Sequence, residues 1–345
     1  MICVSRAGVA RSSLASRCAA AWFFSTSSYN VIDEFKKLHQ NGKDSVSQAS
    51  TIHPSAIVHP NAVIGQSVTI GPYCTIGPQV KIGNGCRLGP CSHIHGITEL
   101  GDRCLLMAGV VMGDDLPGTT VIGSNNFFGH YSVIGVKCQD MKHQASDECF
   151  LSIGDDNDIR EHVSIHRSSR ASDRTVIGNK NLIMGYCHVA HDCIVGDNNI
   201  LANNTLLGGH VTIEDFVHTS GGSGAHQFCH IGSYSFIGAG CVVSQDVPKY
   251  MMVSGNRGEL RGLNLEGLRR YGFSATEVKS LRAAYRKIFL FGGDSHIPFE
   301  ERLDKVESDE ELGKVSSVSS LLQSIRNSFA DNRRGICKFR NITPI

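Results

Sequence analysis

Residues 62–89 read "AVIGQSVTIGPYCTIGPQVKIGNGCRLG", and in them Ile64, Ile70, Ile76, Ile82 and Leu88 fall six apart, each followed by Gly. The beat extends back to Val58 and Ile52 and forward through Ile94, Leu100 and Leu106 to Met112. It returns at Ile122, Phe128 and Ile134, then holds one register from Ile153 through Ile159, Ile165, Ile177, Ile183, Val189, Val195, Leu201, Leu207, Ile213, Ile231 and Ile237 to Val243. An amphipathic helix repeats near 3.6 residues and a half-buried strand at two, so a period of six is neither. It is the period of a solenoid in which each hexad gives a short strand and a corner, and three hexads close a triangular coil of eighteen residues. One coil cannot bury its own inward side chains. Stacked coils share a core, with strands pairing about 4.8 Å apart. The Gly beside each inward residue is expected to let the backbone turn the corner at little steric cost.

Composition agrees with an all-β solenoid. The chain of 345 residues exceeds what one coil stack of this register needs, and 37 Gly with 7% aromatic residues suit narrow coils. A net charge of +1 gives no basis for nucleic-acid binding. Thirteen Cys, odd in number and without a C-x-x-C pair, read as free thiols in a reducing compartment. Cys74, Cys86 and Cys104 fall just ahead of inward aliphatics, which predicts a packing role.

Residues outside the beat form two further regions. Met1 to Asn30 carries Arg6, Arg11 and Arg17, many Ser and Ala, and no acidic residue before Asp33. That is the composition of an organelle transit peptide, read here as mitochondrial (matrix) and cleaved near residues 17 to 45, with a plastid address as the alternative. No apolar run is long enough to span a membrane. The region 1–45 is thus transit peptide and linker, and 50–255 the repeat β-helix. From 256 to 345 the pattern is helical. Ser274-Ala275-Thr276-Glu277 has the form of a capping box, Val278, Leu281, Tyr285 and Ile288 follow at helical spacing, and further amphipathic stretches cover Pro298 to Val306 and Val315 to Phe329.

Two breaks in the beat predict loops. Met112 to Ile122 spans ten residues, and Ile134 to Ile153 spans nineteen, one more than a whole coil. The second break, "VKCQDMKHQASDECF", carries Gln139, Asp140, Lys142 and His143 on a segment of the kind that often bears function.

The register also locates a site. Positions eighteen apart stack, so Val189, Leu207 and Ala225 share an edge, with His191, Gly209 and Gln227 two residues past each. His210 and His226 flank that edge, and Asp192 adjoins His191. A neutral His whose tautomer is fixed by a carboxylate can act as general base toward a hydroxyl or amine. A Gly one strand spacing away leaves a backbone N–H where an oxyanion would form. Cys187 and Cys193 flank the His pair but match the packing cysteines, so direct acyl transfer is the simpler chemistry. Three His on such coils can instead hold zinc, as in gamma-class carbonic anhydrases. Those resemble a shorter solenoid with a His-x4-His pair, against His188-x2-His191 here.

"CHVAHDCIVGDNNILANNTLLGGHV" (187–211), "AHQFCHIG" (225–232), "SQDVPKYMMVSGN" (244–256) and "LNLEGLRRYGFS" (263–274) resemble the acyl-ACP:UDP-N-acetylglucosamine O-acyltransferases, over the chain from about Thr51 to its end. The resemblance implies a left-handed parallel β-helix of hexapeptide repeats with a C-terminal α-helical domain, and the first step of lipid A biosynthesis as the activity. It implies that His191 is the general base for the glucosamine 3-hydroxyl as this attacks the thioester of a (3-hydroxy)acyl chain on acyl carrier protein. Asp192 would orient it, and the Gly209 N–H would receive the oxyanion. By the same resemblance His188, His210, His226 and Gln227 line the sugar and acyl pockets, Asp140 and Lys142 contact substrate from their loop, and Asn264, Glu266 and Arg270 lie near the nucleotide and diphosphate. A guanidinium suits a diphosphate through two parallel charge-assisted bonds. Ala239 and Arg257 fall where the family gauges acyl-chain length. The family is a homotrimer with each active site between two subunits, and no cofactor or metal is expected.

The chain departs from the family pattern at Tyr271, often a second Arg, and at "IHRSS" (165–169), where the usual motif is I-H-R-G. Three other readings stand beside the O-acyltransferase: an N-acyltransferase on a UDP-glucosamine derivative, a zinc protein of the carbonic anhydrase kind, and a non-catalytic solenoid subunit. N-acyltransferases of the neighbouring family typically carry an additional N-terminal uridine-binding domain, and the fifty residues here are too few and too Arg/Ser-biased for one.

Overall fold

A computed structural model describes residues 49–144, 146–290 and 297–339. The transit-peptide reading of Met1 to Asn30 lies outside the described residues. From Thr51 onward the chain forms strands mostly two residues long, arranged as three parallel sheets of twelve, ten and nine strands. These are called faces A, B and C here, visited in that order by each coil. Pairing follows the eighteen-residue register, with Ile70 opposite Leu88 on face A and Val189 opposite Leu207 on face B. The inward aliphatics Ile70, Ile76, Ile94, Leu106, Ile134, Ile159 and Ile183 are at most 1% exposed and form one core. The expected parallel β-helix is therefore present.

The corners are built differently from the sequence expectation. The residue with positive φ is the third after the inward aliphatic: Tyr186, Asp192, Asn198, Asn204, His210 and Phe216 all lie between 57° and 62°. Most Gly directly after the aliphatic do not adopt that conformation; Gly113 and Gly135, which open the two long loops, do, with φ of 77° and 71°. The others mostly need the absence of a side chain, because a Cβ on Gly101 would meet the backbone of Gly123 at 2.6 Å, and one on Gly83 would meet Gly101 at the same distance. Gly in this position permits close stacking of coils rather than the turn itself. Rings at the positive-φ positions stack from coil to coil, as in Tyr131, His162 and Tyr186, whose successive centroids are 5.5 and 4.7 Å apart. The packing cysteines behave as expected, and they add a contact. Cys74, Cys86 and Cys104 are fully buried, and their thiols donate to the carbonyls of Gly89, Gly101 and Gly123 in the next coil at 3.1, 3.1 and 3.2 Å.

The interruptions of the beat gather at one corner. Met112 and Ile122, and likewise Ile134 and Ile153, occupy successive strands on faces B and C, a step that elsewhere takes six residues. The nineteen-residue interval is thus one step with a long loop, not a coil plus one residue. A third loop was invisible to the count. Ile165 and Ile177 also lie one step apart, from face B to face C, yet twelve residues separate them, which keeps the six-residue phase.

Face A ends in an antiparallel hairpin of Met251–Ser254 with Glu259–Leu263. Four helices follow: α1 (Leu265–Arg270), α2 (Ala275–Phe289), α3 (Phe299–Glu307) and α4 (Ser316–Asn327). Helix α2 starts on the expected capping box of Ser274 and Glu277. Buried Leu281, Ile288, Leu303, Val318 and Leu321 hold the helices to one another. Arg333 ties them to the solenoid through Asp246 at 2.7 Å, beside a polar cavity of about 470 Å³ whose charged groups Glu214, Lys249, Asp246 and Arg333 are ion-paired. Among the described residues no helix is long and apolar enough to cross a membrane.

If Gly serves stacking rather than torsion, the two kinds of Gly will respond differently to a methyl group. Gly101→Ala is expected to lower the free energy of unfolding by about 1–3 kcal/mol through overpacking. Gly77→Ala, whose Cβ would meet nothing nearer than 3.4 Å, is expected to change it by less than about 0.5 kcal/mol. Chemical denaturation of the two variants checks this.

Candidate active site

The corner between faces B and C that carries the three loops also carries His191, two residues past Val189. His191 and Asp192 are each 7% exposed, and His191 Nδ1 lies 2.6 Å from Asp192 Oδ2. The carboxylate is fixed on its other sides. Its Oδ1 accepts the Ser169 N–H at 2.9 Å, its Oδ2 accepts the Ser169 hydroxyl at 2.7 Å, and the Asp192 N–H donates to Thr175 Oγ1 at 2.9 Å. Burial alone would raise the Asp192 carboxyl, but the hydrogen bonds from His191 and Ser169 outweigh it and hold the pKa below the usual range. The bond to Asp192 in turn raises His191 above an ordinary imidazole against the opposing effect of burial. With Nδ1–H committed to the carboxylate, the neutral ring presents the lone pair of Nε2.

Gly209, on the next coil, lies directly against that ring. A Cβ there would fall 2.5 Å from His191 Cε1 and 2.7 Å from Nε2, so only Gly allows the imidazole its position. Among the described residues the Gly209 N–H has no hydrogen-bond partner. The corner between faces C and A is built differently. There the N–H at the same position is capped in a run of successive coils by a side chain from the coil above, as Asn84 by Asp102 at 2.7 Å, Ser124 by Asp155 at 2.6 Å and Asn179 by Asp197 at 2.6 Å. At the B–C corner the Gly96 N–H is capped by Asp115 at 3.1 Å, but the Gly209 N–H is left open beside the His191 ring.

The structure brings most of the other expected residues to this corner. His210 Nε2 is 3.4 Å from Asp192 Oδ2, and its ring stands edge-on to His191 and stacks on Phe228 at 4.6 Å. His188 Nδ1 meets Ser164 Oγ at 2.7 Å, and His188 is lowered by burial and by the charge of His191. His226 and Gln227 are exposed one coil beyond Gly209. On the long loop Asp140 Oδ1 accepts the Lys142 N–H at 2.9 Å, and His143 Nδ1 reaches the Ser169 carbonyl at 3.4 Å. Sequence reasoning missed His166, which packs edge-to-face on His188 at 4.8 Å and whose pKa burial lowers to about 4. Its signal was position: it directly follows Ile165 on face B. "IHRSS" needs no Gly, since Ser168 does not adopt positive φ.

The remaining residues lie elsewhere. Helix α1 packs at the C–A corner, where Tyr271 meets the rings of Phe216 and Tyr234 at 4.9 and 5.5 Å. Asn264 is buried as its cap, accepting the Gly267 N–H at 3.0 Å and donating to the Tyr234 carbonyl at 2.8 Å, so its amide is committed to the helix. Glu266 and Arg270 form an exposed pair at 2.8 Å. Ala239 and Arg257 are exposed further along the stack, beyond Gln227.

Two alternative chemistries meet obstacles at the site. Cys187 and Cys193 are pushed up to about 11 and about 12 by burial, and their thiols donate to the carbonyls of Ala202 and Gly208 at 3.1 Å, so neither is a nucleophile. One ligand atom each from His191, Asp192 and His210 lies within 4.8 Å of the others, a set that a divalent ion could use. The Asp192 oxygens are already satisfied by Ser169 and His191, and an ion would have to displace the 2.6 Å bond that orients the ring.

Comparisons with known proteins follow this geometry. A family model described as UDP N-acetylglucosamine O-acyltransferase, domain 2, matches residues 246–337. Models of the bacterial transferase hexapeptide match 49–82, 61–96 and 174–209. A protein from Arabidopsis thaliana named probable mitochondrial acyl-[acyl-carrier-protein]–UDP-N-acetylglucosamine O-acyltransferase is 65% identical over 253 residues, covering 73% of this chain and 75% of that one. The correspondingly named protein of Aliivibrio fischeri is 40% identical over 209 residues, covering 60% and 75%. Among solved structures, an Arabidopsis UDP-N-acetylglucosamine acyltransferase superposes with a TM-score of 0.82 at 66% identity over 83% of this chain and 100% of that chain. The UDP-N-acetylglucosamine O-acyltransferase of Moraxella catarrhalis gives 0.67 at 37% identity over 83% and 99%. Superposition at these scores requires a common hand, so this is the left-handed β-helix that the resemblance implied. The chain therefore belongs to the acyl-[acyl-carrier-protein]–UDP-N-acetylglucosamine O-acyltransferase family.

Proposed function

We propose that this protein transfers a (3-hydroxy)acyl chain from acyl carrier protein to the glucosamine 3-hydroxyl of UDP-N-acetylglucosamine, the first step of lipid A biosynthesis, with His191 as general base. The observation that carries the reading is an imidazole held through Nδ1 by Asp192 and packed against a Gly of the next coil whose N–H has no partner among the described residues. His191 Nε2 takes the proton of the hydroxyl as its oxygen attacks the thioester carbonyl. The Gly209 N–H receives the developing oxyanion. Collapse of the tetrahedral intermediate breaks the C–S bond, and the departing thiolate takes the proton back from His191. Asp192 stabilises the imidazolium in between.

His188, His210, His226 and Gln227, with Asp140 and Lys142 on the loop, would bind the sugar and acyl groups. Glu266 and Arg270 would face the nucleotide, with Asn264 holding the helix that carries them, and Ala239 and Arg257 would meet the far end of the acyl chain. In one chain α1 sits at the C–A corner and His191 at the B–C corner, with the width of face C between them. A single nucleotide-sugar reaches both only if a neighbouring subunit brings its own α1 to the His191 corner, which favours a homotrimer. The relative named mitochondrial supports the mitochondrial matrix as the location, with a plastid as the alternative.

His191→Ala is expected to reduce transfer from a hydroxyacyl carrier-protein thioester by more than about a hundredfold, because general-base catalysis contributes on that order. Full activity in that variant sinks the mechanism, and acceptance of an amino sugar in place of the hydroxyl favours N-acylation. Because His191 is raised by Asp192, it protonates, and activity falls, as pH drops through that raised value. Asp192→Asn removes the stabilisation of the imidazolium, so the acid limb of the pH–rate profile is expected to move to lower pH while the plateau falls. Co-expression of His191→Ala and Arg270→Ala chains tests the shared site. Mixed trimers contain interfaces with both native residues and should recover about a quarter of the wild-type rate, whereas a site within one chain recovers none.

A further inference from the structure

We propose that Ser169 is a positioning residue for this reaction: its backbone N–H and its hydroxyl, one to each carboxylate oxygen, lock the plane of Asp192 and thereby the ring of His191. The inference rests on the reading of His191 as the base. Asp192 is the chain neighbour of the residue it must orient, and it sits at a corner with φ of 60°. Its carboxylate has to fold back onto the adjacent ring, and rotation about Cβ–Cγ would break the contact. One hydrogen bond leaves that rotation open. Two bonds from a single residue, 2.9 Å to Oδ1 and 2.7 Å to Oδ2, close it. Ser169 supplies two of the four polar contacts of that carboxylate, the others being His191 Nδ1 at 2.6 Å and His210 Nε2 at 3.4 Å.

Ser169 is held for this task. It is 3% exposed, and it lies in the loop that the six-residue beat concealed between Ile165 and Ile177. The preceding Ser168 anchors the loop by accepting the Phe150 N–H at 2.9 Å and donating to the Arg170 carbonyl at 3.1 Å. The Arg174 guanidinium lies 3.7 Å above the Phe150 ring and pins the far side. The Ser169 carbonyl meets His143 from the loop that bears Asp140 and Lys142. One residue therefore joins the substrate loop to the carboxylate behind the base. Its hydroxyl hydrogen is given to Asp192, so Ser169 is no acyl carrier.

The test uses the full-length enzyme with Ser169→Ala, Ser169→Thr, and Ser169→Ala combined with Asp192→Asn. A hydrogen bond to a charged group converts to roughly ten- to hundredfold in rate, so Ser169→Ala should lose that much in kcat. KM for UDP-N-acetylglucosamine should stay within about twofold, since the substrate is not touched. Thr restores the hydroxyl and should return kcat to within about threefold of wild type. In the Asp192→Asn background, removing the hydroxyl should cost nothing further, because the residue acts through the carboxylate. An unchanged kcat in Ser169→Ala, a loss confined to KM, or an equal loss with and without Asp192 overturns the proposal. A folding defect would show as a fall in Tm that Thr repairs together with soluble yield, leaving kcat per folded enzyme unchanged, and that too overturns it. If His191→Ala is active, the mechanism fails first; if His191→Ala is inactive and Ser169→Ala is normal, only this inference fails.

Discussion

The N–H after each inward aliphatic donates to the carbonyl of the aliphatic one coil later, as Gly65 to Ile82 at 2.8 Å, Gly71 to Leu88 at 2.8 Å and Gly83 to Leu100 at 2.7 Å. The rest of the molecule accommodates this ladder. Where Gly stands at these positions the coils mostly approach so closely that a Cβ has no room, as at Gly65, Gly83 and Gly101. Strands of two residues leave only corners free to vary, so every long insertion is expelled there and the core register survives it. The cysteines, too, answer to the ladder: a thiol is small enough to fit under the next coil and polar enough to bond its carbonyl.

The candidate site lies at a corner that does not repeat the side-chain ladder of the C–A corner. At the C–A corner a run of side chains closes these N–H groups, as Asp102 does for Asn84 and Asp197 for Asn179, which leaves nothing there for a ligand. At Gly209 the capping side chain is missing, and the space it would fill is taken by an imidazole from the coil before. A buried donor without a partner costs stability. Under the proposed mechanism the transition state would supply the missing acceptor, which would make the donor more useful there than in the resting protein.

The sequence disclosed the fold because each inward residue is a single aliphatic at a fixed interval, so Ile153 to Val243 can be counted without knowing any contact. The same count put His191, Gly209 and Gln227 on one edge. It was blind wherever an insertion equalled the period: residues 168–173 kept the phase, so the loop bearing Ser169 looked like regular structure. It misjudged the Gly because torsion and clash leave the same letter in a sequence. Asn264 illustrates a further limit. A polar residue before a helix serves equally as a cap or as a ligand, and only its two bonds, to Gly267 and Tyr234, reveal the cap.

The imidazoles of His191 and His210 meet Asp192, with His188 and His166 beyond them, and the surroundings of His166, His188 and His191 set their proton affinities apart. His166 and His188 are lowered by burial, and each is lowered further by the charge of a neighbouring imidazole, which favours their neutral forms. His191 is raised, because it alone has a short bond to Asp192. The carboxylate can give it that bond only while its own charge is maintained in a buried place, and Ser169 contributes to that with two donors. A buried anion beside one ring and burial around the others therefore separate chemically identical side chains by proton affinity, which is what the proposed division into one base and several binders requires. The sorting depends on a corner where Asp192 accepts positive φ so that its carboxylate can reach back to the preceding residue.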